Sequence, residues 1–164
     1  MLLKEYNKKI IYSSTGSIYG RIKNVVNENT KPNPLTLYGI TKYNAEKVVL
    51  KYGGVALRFA TIFGLSTRLR LDLLVNDFCY QAYHLKQIVM FEGHFRRSFL
   101  HVRDAANSIV HAVEKYDNLK GSAFNIGDES MNFTKKEVAL KIKSIHNYTL
   151  IESEIGTDQD KRDY

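Results

Sequence analysis

The chain has 164 residues, 44% of them hydrophobic, which is enough apolar material for one ordinary globular domain with a buried core. No apolar run approaches the length needed to span a bilayer and MLLKEYNKKI lacks an export signal, so we expect a soluble, cytoplasmic protein without a membrane partner. The net charge of +7 is scattered, with no block of basic residues and no nucleic-acid-binding signature, which argues against nucleic acid and leaves the phosphates of a small ligand as anionic partners.

Strand and helix signals alternate along the chain. We predict strands at 8–14, 55–63, 87–91, 97–102, 122–128 and 148–155. We predict helices at 38–51, 71–86 and 103–116, and a fourth that runs from a capping box of Thr134 and Glu137 to about Ile145. Strands that alternate with helices through short connections indicate a parallel sheet covered by helices, and therefore an α/β fold.

Two of these helices carry distinctive residues. Ala106, Ile109, Val110 and Val113 form an apolar stripe on the third predicted helix. The single cysteine, Cys79, lies in an apolar stretch of the second predicted helix. It has no partner for an intrachain disulfide, which fits a reducing cytoplasm and a buried, inert thiol.

A cluster of hydroxyl side chains follows the first predicted strand. The stretch YSSTGSIYG comes directly after Ile10 and Ile11 and contains Ser13, Ser14, Thr15 and Ser17. In parallel α/β sheets the ligand crevice lies beyond the carboxyl ends of the strands, where this stretch is expected. Hydroxyls and glycines also make ordinary turns, so from these residues alone a ligand site and a plain turn are equally good interpretations.

Tyr38 and Lys42 stand four residues apart at the start of the first predicted helix, so their side chains share a face. A phenol is a poor base at neutral pH, but a nearby ammonium favours the phenolate and lowers the pKa of the phenol. A tyrosine of this kind can take a proton from a substrate hydroxyl. Thr15, at the adjacent strand end, would hydrogen-bond and align the same hydroxyl.

The spacing of Tyr38 and Lys42 is not specific by itself. About one such pair is expected by chance in a chain of this composition, and two more pairs occur, at Tyr43 with Lys47 and at Tyr116 with Lys120. Only Tyr38 begins a predicted helix shortly after a hydroxyl-rich strand end. We therefore interpret the other two pairs as parts of solvated helix faces.

Five motifs occur in a fixed order between Ile10 and Tyr164: YSSTGSIYG, PLTLYGITKYNAE, VALRFATIFG, RRSFLHVRDAANS and FNIGDES. With this order and these separations, the chain resembles the extended short-chain dehydrogenase/reductase family, which includes the nucleotide-sugar epimerases and dehydratases. The resemblance implies an NAD(P)-dependent enzyme, with a Rossmann domain and a smaller nucleotide-sugar domain, that usually forms a homodimer.

The resemblance also implies roles for the residues of the first motifs. Thr15 would orient the sugar as the working member of the hydroxyl cluster, and Tyr38 would be the base. Lys42 would lower the pKa of that tyrosine and bind the nicotinamide ribose. Further cofactor contacts are implied at the end of the first two strands, at Ser13, Phe59 and Thr61.

Substrate contacts are implied by the later motifs. Thr15 and Thr61 would contact the sugar, and Asn76 the diphosphate. The remaining matches are Val89 and Phe91, which would line the nucleotide base, and Arg97 and Arg162, which would bind phosphate. Val89 and Phe91 are more typical of plain core than of a binding site, and Arg162, near a chain end, is also typical of a solvated position.

Some positions depart from the family pattern. Dehydratases of the family carry an acidic pair directly after the threonine, where this chain has Gly16 and Ser17. This disfavours dehydration and leaves epimerisation or simple oxidoreduction. Thr61, Phe63 and Ser98 also differ from the residues frequent at their positions, which puts the identity of the substrate in doubt.

The glycine-rich turn that holds the dinucleotide pyrophosphate in this family does not occur in the 164 residues. We therefore expect an N-terminally truncated chain, in which 1–65 hold the late Rossmann strands and the catalytic helix. Residues 66–164 would be mainly the substrate-binding part, with a returning Rossmann segment. We expect weak or absent binding of NAD (or NADP) by this chain alone.

Two functions remain open at this point. One is the epimerase or oxidoreductase acting on a nucleotide sugar, completed by an N-terminal half or working as a homodimer. The other is a non-catalytic remnant or nucleotide-sugar-binding module of the same fold.

Overall fold

The computed structural model describes residues 8–22 and 25–153. Its strands are β1 (Ile11–Thr15), β2 (Val55–Phe59), β3 (Thr61–Phe63), β4 (Gln87–Met90), β5 (Arg96–His101), β6 (Ala123–Ile126), β7 (Asn132–Thr134) and β8 (Thr149–Glu152). Its α-helices are α1 (Leu37–Lys51), α2 (Leu74–Tyr80), α3 (Val102–Glu114), α4 (Tyr116–Leu119) and α5 (Lys135–Lys143). Short 3-10 turns follow β1 at Gly16–Tyr19 and precede β7 at Glu129–Met131, and a π-helical turn, Gln81–Leu85, extends α2.

The chain divides into two compact units. The first unit contains the described residues up to Ala60 together with Arg103–Gly127. The second unit contains Thr61–Val102 together with the described residues from Asp128 onwards. The chain therefore leaves the first unit after β2, builds part of the second, and returns to the first for α3, α4 and β6.

The first unit is built on a parallel sheet with the strand order β1-β2-β6. Ile11 is paired with Val55, and Ala56 with Ala123. Every residue of the central strand β2 is buried, as expected for a strand covered on both faces. The sheet confirms the predicted α/β fold with parallel strands.

Helix α1 begins and ends where local signals place it. The Thr36 hydroxyl accepts a hydrogen bond from the backbone N–H of Gly39 at 3.1 Å and caps the first turn. Gly53, with φ of 78°, follows the helix in a conformation that few other residues adopt. A Cβ at Gly39 would lie only 3.0 Å from the carbonyl oxygen of Ser17, so glycine lets the helix start pack closely against the turn after β1.

The second unit surrounds its own apolar core. Strand β5 pairs with β3 in parallel and with β7 in antiparallel orientation, while β4 and β8 form a parallel pair. The predicted capping box is present, because Thr134 Oγ1 accepts from the Glu137 N–H and Glu137 Oε2 accepts from the Thr134 N–H. The core consists of Phe78, Ala82, Ile88, Met90, Phe99, Val138, Ala139 and Tyr148.

The structure corrects the predicted ends of two strands. The first strand continues to Thr15, so Ser13 and Ser14 lie within β1 instead of projecting beyond it. The stretch 55–63 is not one strand but two, because β2 belongs to the sheet of the first unit and β3 to a sheet of the second. Apolar periodicity does not change when a chain passes from one sheet to another, so the sequence gives no sign of this break.

Two apolar features that the sequence analysis identified are exposed in the structure. Val110 in the apolar stripe of α3 is 55% exposed, and the rest of the stripe is exposed as well. Cys79 is also exposed, so the prediction of a buried thiol is wrong. Within the described ranges, no helix combines the length and the apolar character that crossing a bilayer requires.

Candidate active site

Lys42 is fastened to the strand that carries the hydroxyl cluster. Its ammonium donates a hydrogen bond to the backbone carbonyl of Ser13. The ammonium also lies 4.7 Å from the centre of the Tyr12 ring, whose hydroxyl donates to the carbonyl of Lys42 at 3.5 Å. Burial of this half-covered side chain lowers the pKa of Lys42.

Tyr38 occupies the first turn of α1, and its side chain is 53% exposed. Burial, followed by the charges of Tyr38 and Glu46, raises the pKa of Tyr12. Tyr38 therefore lies in the neighbourhood of Tyr12. Its exposed phenol is accessible to a ligand.

Thr15 is buried, and its hydroxyl caps the 3-10 turn that follows β1. Thr15 Oγ1 accepts a hydrogen bond from the Ser17 N–H at 3.2 Å and donates to Ser17 Oγ at 3.3 Å. Among the residues that the structure describes, no hydrogen bond joins Thr15 to Tyr38. The observed contacts are those of a capped turn, and the role of Thr15 in orienting a sugar stays a prediction.

Phe59 lies beside Thr15, because the two residues are paired across β1 and β2. Its side chain is buried at the carboxyl end of β2. The structure thus brings four of the predicted residues together in one region of the first unit: Lys42 binds the Ser13 carbonyl, and Thr15 and Phe59 lie at the adjoining strand ends.

The other two tyrosine–lysine pairs have different surroundings. Lys47 lies 4.8 Å from the centre of the Tyr43 ring, and no strand carbonyl within the described ranges accepts a hydrogen bond from it. Tyr116 is buried, and its hydroxyl bonds the Ile10 N–H and the Gly53 carbonyl, both at 3.1 Å. The interpretation of a solvated helix face is therefore wrong for Tyr116, which is a buried structural residue. Tyr38 with Lys42 remains the pair next to the hydroxyl-rich strand end.

A buried polar network, which sequence reasoning missed, lies beneath this pair. Glu46 is 1% exposed and Arg58 is 7% exposed, and Arg58 Nη2 lies 2.7 Å from Glu46 Oε1. Burial acts to lower the pKa of Arg58, but the Glu46 carboxylate and the Tyr19 hydroxyl outweigh burial and raise it. The signal that was available is an arginine inside the apolar strand VALRF together with a glutamate one turn after Lys42.

The second unit contains a pocket of about 210 Å³. It brings together three of the predicted substrate-binding residues: Val89, Phe91 and Arg97. Arg97 is 2% exposed, and so is Lys135, a second cation in the pocket wall that the sequence analysis did not single out. The other lining residues are Asp72, Leu74, Asp77, Phe78, Gln81 and Met90.

The Lys135 ammonium donates a hydrogen bond to the Phe91 carbonyl at 3.0 Å. It therefore holds the end of the strand segment predicted to line a nucleotide base. No signal in the sequence identifies this lysine, because the first residue of a capped helix is ordinarily exposed. Buried cations in a pocket wall suit an anionic ligand such as a phosphate.

Two described residues of the second unit that were predicted to bind substrate, Asn76 and Thr61, do not line this pocket. Asn76 is held by the loop before α2, since its amide nitrogen donates to the Arg70 carbonyl at 2.9 Å and its amide oxygen accepts from the Gly64 N–H at 3.0 Å. The hydroxyl of Thr61 is buried and has no hydrogen-bond partner among the described residues. Arg162 lies outside the described residues.

Comparison with known proteins agrees with this fold. The chain is 32% identical over 137 residues to the uncharacterized UDP-glucose epimerase YtcB of Bacillus subtilis, which covers 79% of this chain and 42% of that protein. It is 31% identical over 144 residues to the methionine adenosyltransferase 2 subunit beta of Bos taurus, covering 84% of this chain and 42% of that protein. The chain thus spans less than half the length of these curated relatives.

A solved structure of UDP-glucuronic acid 4-epimerase from Bacillus cereus, in complex with NAD, superimposes with a TM-score of 0.79 at 26% identity. The match covers 92% of this chain and 52% of that protein. The family model described as "NAD dependent epimerase/dehydratase family" matches residues 1–127. The chain therefore belongs to the NAD-dependent epimerase/dehydratase family.

Proposed function

We propose that this chain carries the acid–base residues and the nucleotide-sugar pocket of an NAD(P)-dependent epimerase or oxidoreductase. The observation that carries the proposal is the Lys42 ammonium on the Ser13 carbonyl, one helical turn after the exposed Tyr38. An ammonium at this place favours the phenolate form of a neighbouring tyrosine. Such a group takes and returns a proton at a sugar hydroxyl.

We assign Tyr38 as the base that removes the hydroxyl proton of the sugar and later returns it. Bound NAD would supply a hydride acceptor and donor at the sugar carbon whose hydroxyl proton Tyr38 handles, and return of the hydride to the opposite face would give epimerisation. Lys42 keeps the proton-transfer step favourable and would bind the nicotinamide ribose. Thr15 would align the sugar hydroxyl, and Gly16 and Ser17, in place of an acidic pair, disfavour dehydration.

The residues present fit part of the NAD molecule. The buried hydroxyl of Thr61 has no hydrogen-bond partner among the described residues, which supports its proposed role in contacting a ligand. The glycine-rich turn that cradles a pyrophosphate does not occur in these 164 residues. We therefore expect the chain alone to bind NAD with a Kd well above micromolar, and micromolar affinity in a calorimetric titration would contradict this.

We propose that the second unit is the substrate-binding part and that the first unit is the Rossmann part. In the pocket, Val89 and Phe91 would contact the base, while Arg97, with Lys135 beside it, would meet the phosphates. The carboxylates of Asp72 and Asp77 also line the pocket, and their negative charges offset the positive charges of Arg97 and Lys135. Arg162 and Asn76 remain proposed phosphate contacts.

Calorimetric titration of the full chain with UDP-glucose, UDP, TDP, GDP and ADP tests this pocket. We expect at least one of the diphosphates to bind, and Arg97→Met to weaken binding by about tenfold or more because a charge-assisted phosphate contact is lost. Arg96→Met is the matched control, since Arg96 is an exposed neighbour that pairs with Glu137 at 3.3 Å. Circular dichroism confirms that both variants are folded. No binding by the parent chain, or equal binding by both variants, would contradict the proposal.

A second candidate function is a binding module without catalysis of its own. One of the relatives is by name the beta subunit of methionine adenosyltransferase 2, so the family includes a protein that is named as a subunit of another enzyme. A module of this kind would also bind a nucleotide sugar, so binding alone does not separate the two candidates. The two candidates are separated by turnover, which depends on Tyr38 only if the chain is catalytic.

We further propose that the chain is completed by an N-terminal half or by a second copy, in the cytoplasm. Two surfaces of the first unit support this. Strand β1 is an edge of its described sheet, and the apolar stripe of α3 is exposed. Unpaired parallel edges and contiguous apolar patches are rare on isolated domains. Sedimentation velocity of the purified chain tests for the second copy, and a monomer at all concentrations would leave the N-terminal half as partner.

A further inference from the structure

Glu46 lies one helical turn after Lys42 and two after Tyr38, so α1 presents the three side chains on one face. Its carboxylate is bonded to both neighbouring strands. Ser14 Oγ, on β1, donates to Glu46 Oε2 at 2.5 Å. Arg58, on β2, donates through Nη2 at 2.7 Å and through Nε at 3.2 Å.

The guanidinium of Arg58 extends this network away from α1. Its Nη1 donates to the Tyr19 hydroxyl at 2.7 Å and to the Glu28 carbonyl at 3.3 Å. The Tyr19 hydroxyl donates in turn to Asn125 Oδ1, on β6, at 2.7 Å. One hydrogen-bonded chain therefore links α1, the three strands of the sheet and the segment that leads into α1.

Apolar packing alone does little to fix α1 on the sheet. Among its residues only Gly39, Glu46 and Val49 are buried, and Val49 is the one sizeable apolar side chain of these. Apolar contacts are non-directional, whereas hydrogen bonds to a buried carboxylate have defined lengths and angles. The position of α1 along β1 is thus set mainly by polar contacts.

Glu46 and Lys42 make their hydrogen bonds to adjacent residues of β1. Ser14 binds Glu46, and the carbonyl of the preceding residue, Ser13, binds the Lys42 ammonium. A shift of α1 along β1 that breaks the first bond therefore also pulls Lys42 away from its acceptor. The close approach of Gly39 to the turn after β1 adds a third fixed point, next to Tyr38.

We infer that Glu46 is a positioning residue: through Ser14 and Arg58 it fixes α1 on β1 and thereby holds Lys42 on the Ser13 carbonyl beside Tyr38. This inference rests on the proposed function, which makes Tyr38 and Lys42 the proton-handling pair. Glu46 itself is buried, so it acts through α1 and not by contact with a substrate.

The test measures the pKa of the Lys42 ammonium in the full chain by NMR titration. Lysine is labelled at Cε, and the Lys42 signal is identified as the one that is missing in Lys42→Arg. In the parent, burial holds the pKa of Lys42 below its usual value. Ser14→Ala and Glu46→Gln should both raise it by about half a unit or more, because α1 moves and the ammonium becomes hydrated. Asn44→Ala, at an exposed position of the same helix, is the matched control and should leave it unchanged.

The direction of the shift distinguishes positioning from other effects. The titratable groups near Lys42 are Tyr12, Tyr38 and Glu46, and loss of the Glu46 charge without movement would lower the pKa of a nearby ammonium. Ser14→Ala removes no charge, so a raised Lys42 pKa in that variant reports movement of α1. This variant decides the question if Glu46→Gln does not fold. An unchanged or lowered Lys42 pKa in the folded Ser14→Ala variant overturns the inference.

Failure of this inference and failure of the proposed function give different results. The titration uses neither a nucleotide nor NAD, so it reports on Glu46 even if the pocket binds no diphosphate. Conversely, nucleotide binding in the second unit would be found even if Lys42 does not move. A Glu46→Asp variant, which keeps the charge on a shorter side chain, should return the Lys42 titration part of the way to its parent value.

Discussion

The helix that carries Tyr38 and the helix α5 are held in place in different ways. Helix α1 buries one sizeable apolar side chain, Val49, and is anchored by a buried carboxylate. Helix α5 contributes Val138 and Ala139 to an apolar core that also contains Ile88 and Met90. The proposed acid–base residues therefore depend on directional polar contacts, whereas the pocket wall depends on packing.

This difference has a physical reason. Packed apolar side chains tolerate exchange for others of similar volume, since many small contacts share the energy. A buried ion pair does not tolerate exchange of one partner, because the other charge is then left in a poorly solvating interior. Equally conservative substitutions should thus have very different effects in the two units.

The largest effect is expected for Glu46→Gln, which preserves shape but leaves the Arg58 charge buried. We expect the free energy of unfolding of the first unit to fall by about 3–5 kcal/mol. NMR signals of each unit, followed in increasing urea, measure this. The exposed pair of Lys136 and Glu152, 2.8 Å apart, is the control, and Glu152→Gln should cost less than about 1 kcal/mol. Equal losses for the two pairs would contradict the distinction.

A smaller effect is expected for Met90→Leu in the core of the second unit. Met90 is fully buried, and leucine has nearly the same volume. We expect a loss below about 1.5 kcal/mol in the same urea experiment, because the core repacks around the new side chain. A loss as large as that of Glu46→Gln would show that the second unit is as intolerant as the first.

Removing the N-terminal cap of either helix should lower the free energy of unfolding by a similarly small amount. Thr36 caps α1 and Thr134 caps α5, each through its hydroxyl. Replacement of either by alanine should cost about 1 kcal/mol in urea unfolding, since one helix N–H loses its acceptor. Thr36→Ala should also disturb the Lys42 titration, because that end of α1 lies nearest to Tyr38, while Thr134→Ala should leave it unchanged.

The smallest effect concerns an exposed charge beside the pocket. Hydrogen bonds from Arg70 lower the pKa of Asp72 from 3.8 to about 2. The stabilisation from this pair is therefore present above pH 3.8 and is lost as the pH falls through about 2. In Arg70→Met the Asp72 pKa should return towards 3.8 in a carboxylate NMR titration, while that of Asp128, lowered by hydrogen bonds from Ser130, should not move.

Much of the fold follows from local patterns. The period of the apolar residues predicts most strands and helices, and the capping box at Thr134 and Glu137 locates the start of α5. The position of Lys42 near the start of a helix that follows a hydroxyl-rich strand predicts that this side chain lies near β1, where it binds the Ser13 carbonyl. These features depend on residues close together in sequence, where spacing determines geometry.

What the sequence did not reveal depends on contacts between elements. The ion pair of Glu46 with Arg58 joins α1 to the next strand, and the hydrogen bond of Lys135 to the Phe91 carbonyl joins α5 to a segment 44 residues earlier; the periodicity within an element predicts neither contact. The break between β2 and β3 marks a change of sheet without a change of pattern. An apolar stripe such as that of α3 predicts that this face of the helix is buried against another element. It does not show whether that element belongs to the same chain or to another one.

Turnover is the most direct test of the central claim that Tyr38 is the base of a nucleotide-sugar epimerase or oxidoreductase. The chain is co-expressed with a glycine-rich dinucleotide-binding segment of the family and assayed with NAD and UDP-glucose. We predict turnover that falls by about a hundredfold or more in Tyr38→Phe and is retained in Tyr43→Phe, whose tyrosine has the same spacing to a lysine. Turnover in Tyr38→Phe equal to that of the parent would contradict the account.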